Sequence, residues 1–189
     1  MNTAVILAAG VGNRLGNNFV NKPKGFIELG NQPIIIESIN KLKDAGISKI
    51  IIGTGYLSQY YEELNDENLI LCVKNNLFYE TGSFFTLYNL KDYLNDDFLL
   101  LESDIIYDSK AISVLINHNI NNVMLASGKT NSGDEVFIQV DDKNNLFKLS
   151  KNRTDLSNIY GELVGISKIS IDTFQVLCEW GGMNIIKSK

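Results

Sequence analysis

The stretch AVILAAGVGNRLG, residues 4–16, passes from an apolar run into glycines around Arg14, and NKPKG at 21–25 follows with Lys24 held behind Pro23. Residue types in this order suit one task, the binding of anionic oxygens. A strand that ends in Ala9-Gly10 lets the main chain approach an anion closely, and successive amides around Gly10 and Gly12 form a nest. Arg14 adds a rigid multidentate cation suited to phosphate, and Lys24 a second positive charge. Taken by spacing alone, the same stretch also reads as a surface loop whose two cations face water.

Two standard phosphate motifs are excluded. Gly10, Gly12 and Gly16 give G-x-G-x-x-x-G, one position too long for a dinucleotide fingerprint, and the next strand ends in GTG with no acid for a ribose. A Walker loop needs a Lys-Ser or Lys-Thr pair after its glycines, which this loop lacks.

A second constellation lies in FLLLESD, residues 98–104, which delivers Glu102 and Asp104 from the end of a buried strand. Ligand sites of open α/β sheets form at such ends. Residues two apart in a strand share a face, so both carboxylates are expected to approach one site. Their hard oxygens suit Mg²⁺ completed by phosphate oxygens. Acids at a strand end also occur for solvation alone. The single histidine, His118, sits at a polar helix end and is expected to be structural or exposed.

The elements that must hold these groups alternate. Strands are predicted at 3–10, 48–55, 69–75, 97–104 and around NNVMLASG, residues 121–128. Between them Ile35, Ile39, Leu42 and Ala45 recur at helical spacing with Gly46 as a stop; YLSQYYEELN, residues 83–96 beginning at Ser83, and SKAISVLINHN also read as helices. The pattern is that of a three-layer Rossmann-like α/β domain with a mixed, mainly parallel sheet. It changes after about residue 127: Val136, Ile138 and Val140 alternate strictly, DDKNN makes a turn, and a hairpin results. ELVGISKIS returns to strand and IDTFQVLCEW to helix. The reading is one domain over 1–189, with an α/β core at 1–127 and a hairpin and strand at 128–170.

Composition sets bounds on partners. Of 189 residues 44% are apolar and 10% aromatic, which excludes disorder, and a net charge of −5 argues against nucleic acid. A nucleotide stays compatible, because a local cation or divalent ion can hold a few phosphates. Cys72 and Cys178 have no zinc or redox spacing, and no apolar stretch is long enough to span a membrane. A reducing, cytoplasmic setting is the expectation.

VILAAGVGNRLG followed by NKPKG closely resembles the signature of the nucleotidyltransferases that activate sugar phosphates and alcohol phosphates, L-A-A-G-x-G-x-R and then P-K. The likeness runs on through KLKDAGISKIIIGTGYL and LLLESDIIY. Within that superfamily the chain looks most like small bacterial cytidylyltransferases for phosphocholine or 2-aminoethylphosphonate, and TNSGDEVFIQV and YGELVGISKIS look like the aminoethylphosphonate branch. The resemblance implies that Leu7, Ala8, Ala9, Gly10 and Gly12 line CTP, that Arg14 holds the departing phosphates, and that Lys24 lies near the α-phosphate. It implies Asp104 as the Mg²⁺ ligand with Glu102 beside it. Thr81, Gly82 and Ser83, in NNLFYETGSFF, are implied at the base, although Ser83 also fits a plain helix N-cap.

The implied reaction is transfer of CMP to 2-aminoethylphosphonate with release of pyrophosphate. Such an acceptor is already anionic, so the protein needs no strong base; it must hold two anions together. Asp134, Glu135 and Glu162 are expected to receive the ammonium end. Phosphocholine is the alternative acceptor, with Tyr79, Phe84, Phe85, Tyr88, Tyr107 and Tyr160 available as aromatic walls. A protein that senses CTP or a phosphonate without turnover is a further alternative, and a homodimer is allowed. The resemblance implies a further carboxylate at the metal, beyond the GISKIS-like strand; Glu179 does not match its context, so the sequence leaves that second ligand unassigned.

Overall fold

Thr3–Ala8 (β1) is an apolar run without polar alternation, a composition that demands cover on both faces. Ala4, Val5 and Ile6 are accordingly fully buried. The protein is described by a computed structural model over residues 1–12, 21–28 and 30–187, with backbone alone for 183–187. Two compact units result, Met1–Val123 with Ser167–Lys189, and Met124–Ile166.

In the first unit β1 lies between β2 (Lys49–Thr54) and β4 (Phe98–Glu102), with β3 (Ile70–Lys74) outside β2. All three pairings are parallel, with Leu7 opposite both Gly53 and Glu102. Crossovers carry α1 (Ile34–Asp44), α2 (Ser58–Glu62) and α3 (Ser83–Tyr88), and α4 (Lys110–Asn117) follows β4. The chain moves from β1 outward to β2 and β3, then returns to the far side of β1 to lay down β4. The strand order thus reverses between β1 and β4, and open α/β sheets bind ligands beyond the carboxyl ends of the strands at such a point.

Helix α1 buries Ile35, Ile39 and Leu42 as their spacing predicts, and Gly46 follows it at φ 88°. The helix expected over 83–96 is shorter: α3 ends at Tyr88, and a 3-10 turn follows at Lys91–Tyr93. Leu87, Leu90 and Leu94 still reach one core with Val5, Ile51, Phe98 and Phe174. Apolar spacing reports which face is buried, and a broken helix satisfies it as well as a continuous one. Phe98 and Phe174 meet edge to face, centroids 5.3 Å apart, a geometry worth roughly 0.5–1.5 kcal/mol beyond area burial. Phe174 lies on α5 (Ile171–Lys187), which opens where the Ser170 hydroxyl accepts the Thr173 amide at 3.3 Å and Asp97 accepts the Ile171 amide at 2.9 Å.

The second unit is built from β5 (Val123–Ser127), β6 (Phe137–Val140), β7 (Leu146–Ser150) and β8 (Gly161–Ile169), the first and last of which begin or end in the first unit. β6 pairs antiparallel with β7 and with β8. The expected turn at DDKNN is present. Oδ1 of Asp141 accepts the amides of Lys143 and Asn145 at 2.9 and 2.8 Å, and Asn144 takes the left-handed conformation that asparagine tolerates. Parallel pairs in one unit and antiparallel pairs in the other make this an α/β Rossmann-like fold with a mixed sheet.

Candidate active site

The carboxyl ends of three strands are laced together beside the glycine loop. The Leu7 carbonyl accepts the Ser103 amide at 3.1 Å, and the Ala9 carbonyl accepts the Tyr56 amide at 3.2 Å. Gly10 is exposed, and Gly12 turns at φ 72°, a conformation that favours glycine. The stem of Lys24 crosses over it: a Cβ on Gly12 would stand 3.2 Å from both Cγ and Cε of that lysine. The ammonium then meets Asp104, Nζ to Oδ2 at 3.1 Å, with the two side chains 28% and 29% exposed.

Buried groups fix the segment that carries Lys24. Pro23 is buried, Lys24–Phe26 forms a 3-10 turn, and the Phe26 ring lies 5.5 Å from Tyr60 and 5.1 Å from Tyr61. Gly25 packs so closely on the end of β4 that a Cβ would sit 2.9 Å from the Ser103 carbonyl oxygen and 3.0 Å from the Tyr61 hydroxyl. Tyr61 is itself 1% exposed, and burial is the main cause that pushes its hydroxyl up to about 12.

The loop after β4 is clamped at its other end. Tyr107 bonds its hydroxyl to Ser38 of α1 at 2.7 Å, while Lys41 donates to the Tyr107 carbonyl, pairs with Glu37 and lies 4.8 Å over the Tyr107 ring. Asp104 thus stands on a short turn held on both sides.

Lys24 and Asp104, 80 positions apart in the chain, are brought into direct contact, and Gly12 joins them. Arg14 lies outside the described residues. Leu7 and Ala8 are in β1 and Ala9 follows it. Glu102 is exposed at the last position of β4. Because β4 ends there, strand alternation does not extend to Asp104, so the shared-face expectation for the two carboxylates rests on a strand residue and a turn residue. The Thr81 hydroxyl is used internally, accepting from Asn75 at 3.0 Å and donating to the Leu77 carbonyl at 2.7 Å. Ser83 is exposed and does not cap α3: Gly82 holds the N-cap position, with no side-chain cap bond.

The three acids assigned to the acceptor lie in the second unit, where each has an intramolecular partner. Asp134 pairs with Lys151 at 3.1 Å, and Glu135 accepts the Gly133 amide at 3.0 Å, the largest of the bonds that hold its pKa down. Glu162 is buried, and its Oε2 accepts both the amide and the hydroxyl of Thr130, at 2.8 and 2.6 Å. Phe84 and Tyr88 pack against Gly181 and Gly182 of α5, Tyr107 belongs to the clamp, and Tyr79 and Tyr160 are exposed. His118 is exposed at the end of α4, as expected.

Tyr61, Gly25 and Ser103 escaped the sequence reading. Tyr61 lies in an expected helix, but no spacing connects it to positions 25 and 103. GTG at 53–55 carries no ribose acid because it packs: a Cβ on Gly53 would stand 2.7 Å from the Thr86 methyl, and one on Gly55 2.8 Å from the Ala9 carbonyl oxygen. Among the described residues no group of three His, Cys, Asp or Glu side chains is poised around a metal position, and no helix is long and apolar enough to cross a membrane.

A glycine loop, a lysine and an aspartate just beyond β4, gathered where the strand order reverses, are the arrangement of a nucleotidyltransferase. Comparison with known proteins agrees: residues 4–156 match the MobA-like NTP transferase domain, and the chain belongs to that family. The choline-phosphate cytidylyltransferase of Streptococcus pneumoniae is 34% identical over 97 residues, 51% of this chain and 42% of that protein. The bifunctional protein GlmU of Methanococcus aeolicus is 30% identical over 182 residues, 92% of this chain and 41% of its own. The CTP:phosphoglutamine cytidylyltransferase of Campylobacter jejuni is 32% identical over 121 residues, 60% of this chain and 48% of that protein. The matches thus span less than half of each of these three proteins. Among solved structures, the S. pneumoniae CTP:phosphocholine cytidylyltransferase superposes with a TM-score of 0.77 at 21% identity, covering 100% of this chain and 80% of that one. The inositol-1-phosphate CTP transferase of T. maritima gives 0.75 at 18% identity, over 90% and 71%; at such identities these two likenesses speak for the fold alone.

Proposed function

We propose that the chain carries a CTP-dependent cytidylyltransferase activity, in which a phosphate or phosphonate oxygen of a small acceptor attacks the α-phosphorus of CTP. The bond from that phosphorus to the bridging oxygen breaks, and pyrophosphate leaves with the electron pair. The observation that carries this reading is the Lys24–Asp104 contact beside Gly12, in a chain that matches the family over residues 4–156. Exposed ion pairs are worth only about 0–1 kcal/mol, so this one opens readily: the ammonium turns to phosphate oxygens and the carboxylate to a cation. Lys24 stabilises the negative charge that gathers on the α-phosphate during attack, with Arg14 on the departing phosphates. Leu7, Ala8, Ala9, Gly10 and Gly12 line the nucleotide, and Thr81, Gly82, Ser83 and Glu102 are its further neighbours.

Asp104 would hold Mg²⁺. Its hard oxygen suits the ion, whose remaining ligands would come from triphosphate and water. Bound there, Mg²⁺ would neutralise phosphate charge.

Phosphocholine is the acceptor best supported. Choline-phosphate cytidylyltransferases recur among the relatives, from S. pneumoniae at 34% identity and Haemophilus influenzae at 25%. Asp134, Glu135 and Glu162 already have partners of their own, which weakens them as receivers of a primary ammonium. One relative favours an aminoalkylphosphonate instead: the CMP-5'-(3-aminopropyl)phosphonate synthase of Streptomyces rubellomurinus, 27% identical over 116 residues. The test is pyrophosphate release with CTP and Mg²⁺, against phosphocholine and 2-aminoethylphosphonate in parallel. Release with phosphocholine only is expected. Release with the phosphonate only reverses the acceptor, and CTP binding without release under either condition replaces the enzyme with a sensor.

A further inference from the structure

We propose that Asn75 is a positioning residue that sets the Thr81–Ser83 segment against the nucleotide base, and so governs affinity for CTP. It is the first residue after β3 and is 1% exposed. Its main-chain amide donates to the Thr54 carbonyl, at the end of β2, at 2.8 Å, so the side chain starts from a fixed point on the sheet. Both protons and the oxygen of its carboxamide are in use. Oδ1 accepts the Leu77 amide at 2.9 Å and Nδ2 of Asn89 at 3.4 Å, while Nδ2 donates to Oγ1 of Thr81 and of Thr86, both at 3.0 Å. One side chain thus ties the loop to itself at 77 and 81, and to α3 and its end at 86 and 89.

Only an amide suits these partners. The Leu77 N–H can only donate, which fixes the oxygen end of the carboxamide. Thr81 uses its one hydroxyl proton on the Leu77 carbonyl at 2.7 Å, so toward Asn75 it offers lone pairs and needs a donor. One residue on, the Gly82 carbonyl accepts the amides of Phe85 and Thr86 at 3.1 and 3.3 Å. The segment is thereby held from both sides, while Gly82 and Ser83 stay exposed. It follows the carboxyl end of β3, and parallel pairing puts that end on the same side of the sheet as Ala9 and Asp104. Tyr56 makes the connection: its amide donates to the Ala9 carbonyl at 3.2 Å, and its ring lies 6.4 Å from that of Phe78, within the loop. A buried polar network with every member satisfied rigidifies what it joins, and here it joins an exposed segment to the sheet. The base contact rests on the cytidylyltransferase reading; the order of the loop does not.

The experiment weighs base against phosphate. Asn75→Asp keeps the size and removes both donors, Thr81→Val removes one acceptor, and Thr81→Ser retains it. Isothermal titration calorimetry on each full-length variant measures Kd for CTP and for inorganic tripolyphosphate, which has no base, in one Mg²⁺ buffer. Asn75→Asp and Thr81→Val are expected to raise the CTP Kd about 10-fold while the tripolyphosphate Kd stays within about twofold. Thr81→Ser should stay within about twofold of wild type for both ligands. An unchanged CTP Kd in Thr81→Val, or an equal rise for both ligands, overturns the proposal. Should Asn75→Asp fail to fold, or tripolyphosphate bind to none of the proteins, the CTP Kd of Thr81→Val against that of Thr81→Ser decides alone. A wild-type chain that binds CTP and releases no pyrophosphate loses the reaction assignment, and the Kd values still decide the role of Asn75. One that binds no CTP overturns both.

Discussion

Nζ of Lys24 lies 3.1 Å from Oδ2 of Asp104, and the lysine stem reaches that contact by passing over Gly12. Two opposite charges are therefore held against each other beside the glycine loop. Lys24→Ala and Asp104→Asn are each expected to lower pyrophosphate release about 10²- to 10³-fold. Both should shift stability by no more than about 1 kcal/mol, since the pair is partly solvated. Steady-state kinetics beside urea unfolding checks this, and wild-type turnover in either variant would remove that residue from the chemistry.

Gly25→Ala should damage both stability and turnover. Its new methyl would stand 2.9 Å from the backbone oxygen of Ser103, which cannot swing aside like a side-chain tip. A loss of about 1–3 kcal/mol is expected for such overpacking. A crystal structure of the variant should show the turn at 24–26 lifted from β4.

Glu162→Ala separates scaffold from substrate contact. The amide and hydroxyl of Thr130 lose a buried acceptor, at about 1–3 kcal/mol. Hydrogen exchange at Thr130 should accelerate in the absence of any ligand. An unchanged exchange rate, with a raised acceptor KM, would make Glu162 a substrate contact instead.

Acid should weaken the β6–β7 hairpin through Asp141. Its carboxyl is held below the ordinary aspartate value, first by the Asn145 side chain and then by the Asn145 amide. A depressed folded-state pKa stabilises above the unfolded value, and that contribution vanishes as pH falls through the folded one. Asp141→Asn should therefore flatten the acid dependence of hairpin amide protection, measured by exchange-detected NMR. An identical pH profile in the variant would contradict the assignment.

Cys72 should resist alkylation. Burial, with Glu62 nearby, pushes its thiol up to about 12, so almost no thiolate forms near neutrality. Iodoacetamide at pH 8 should leave Cys72 unmodified in the native protein and label it fully in urea. Rapid native labelling would show an open region around α2.

The sequence by itself determined the strand and helix alternation, the hairpin after residue 127, and the residue types of the glycine loop. These are local: apolar period, turn residues and anion-binding types declare themselves within a dozen positions. Lys24 and Asp104 were legible as candidates for the same reason, one behind Pro23 and the other after a buried strand. Only the tertiary structure decided that they touch, because strand order brings β4 beside β1 and no spacing in the chain encodes that neighbour. It also decided that Asp104 stands on a turn beyond β4, where strand alternation does not apply, and that Glu162 serves Thr130. Tyr61 was illegible for the same cause. A buried ring acquires its meaning from the segments packed around it, here Gly25 and Phe26, and those meet only when the sheet has formed.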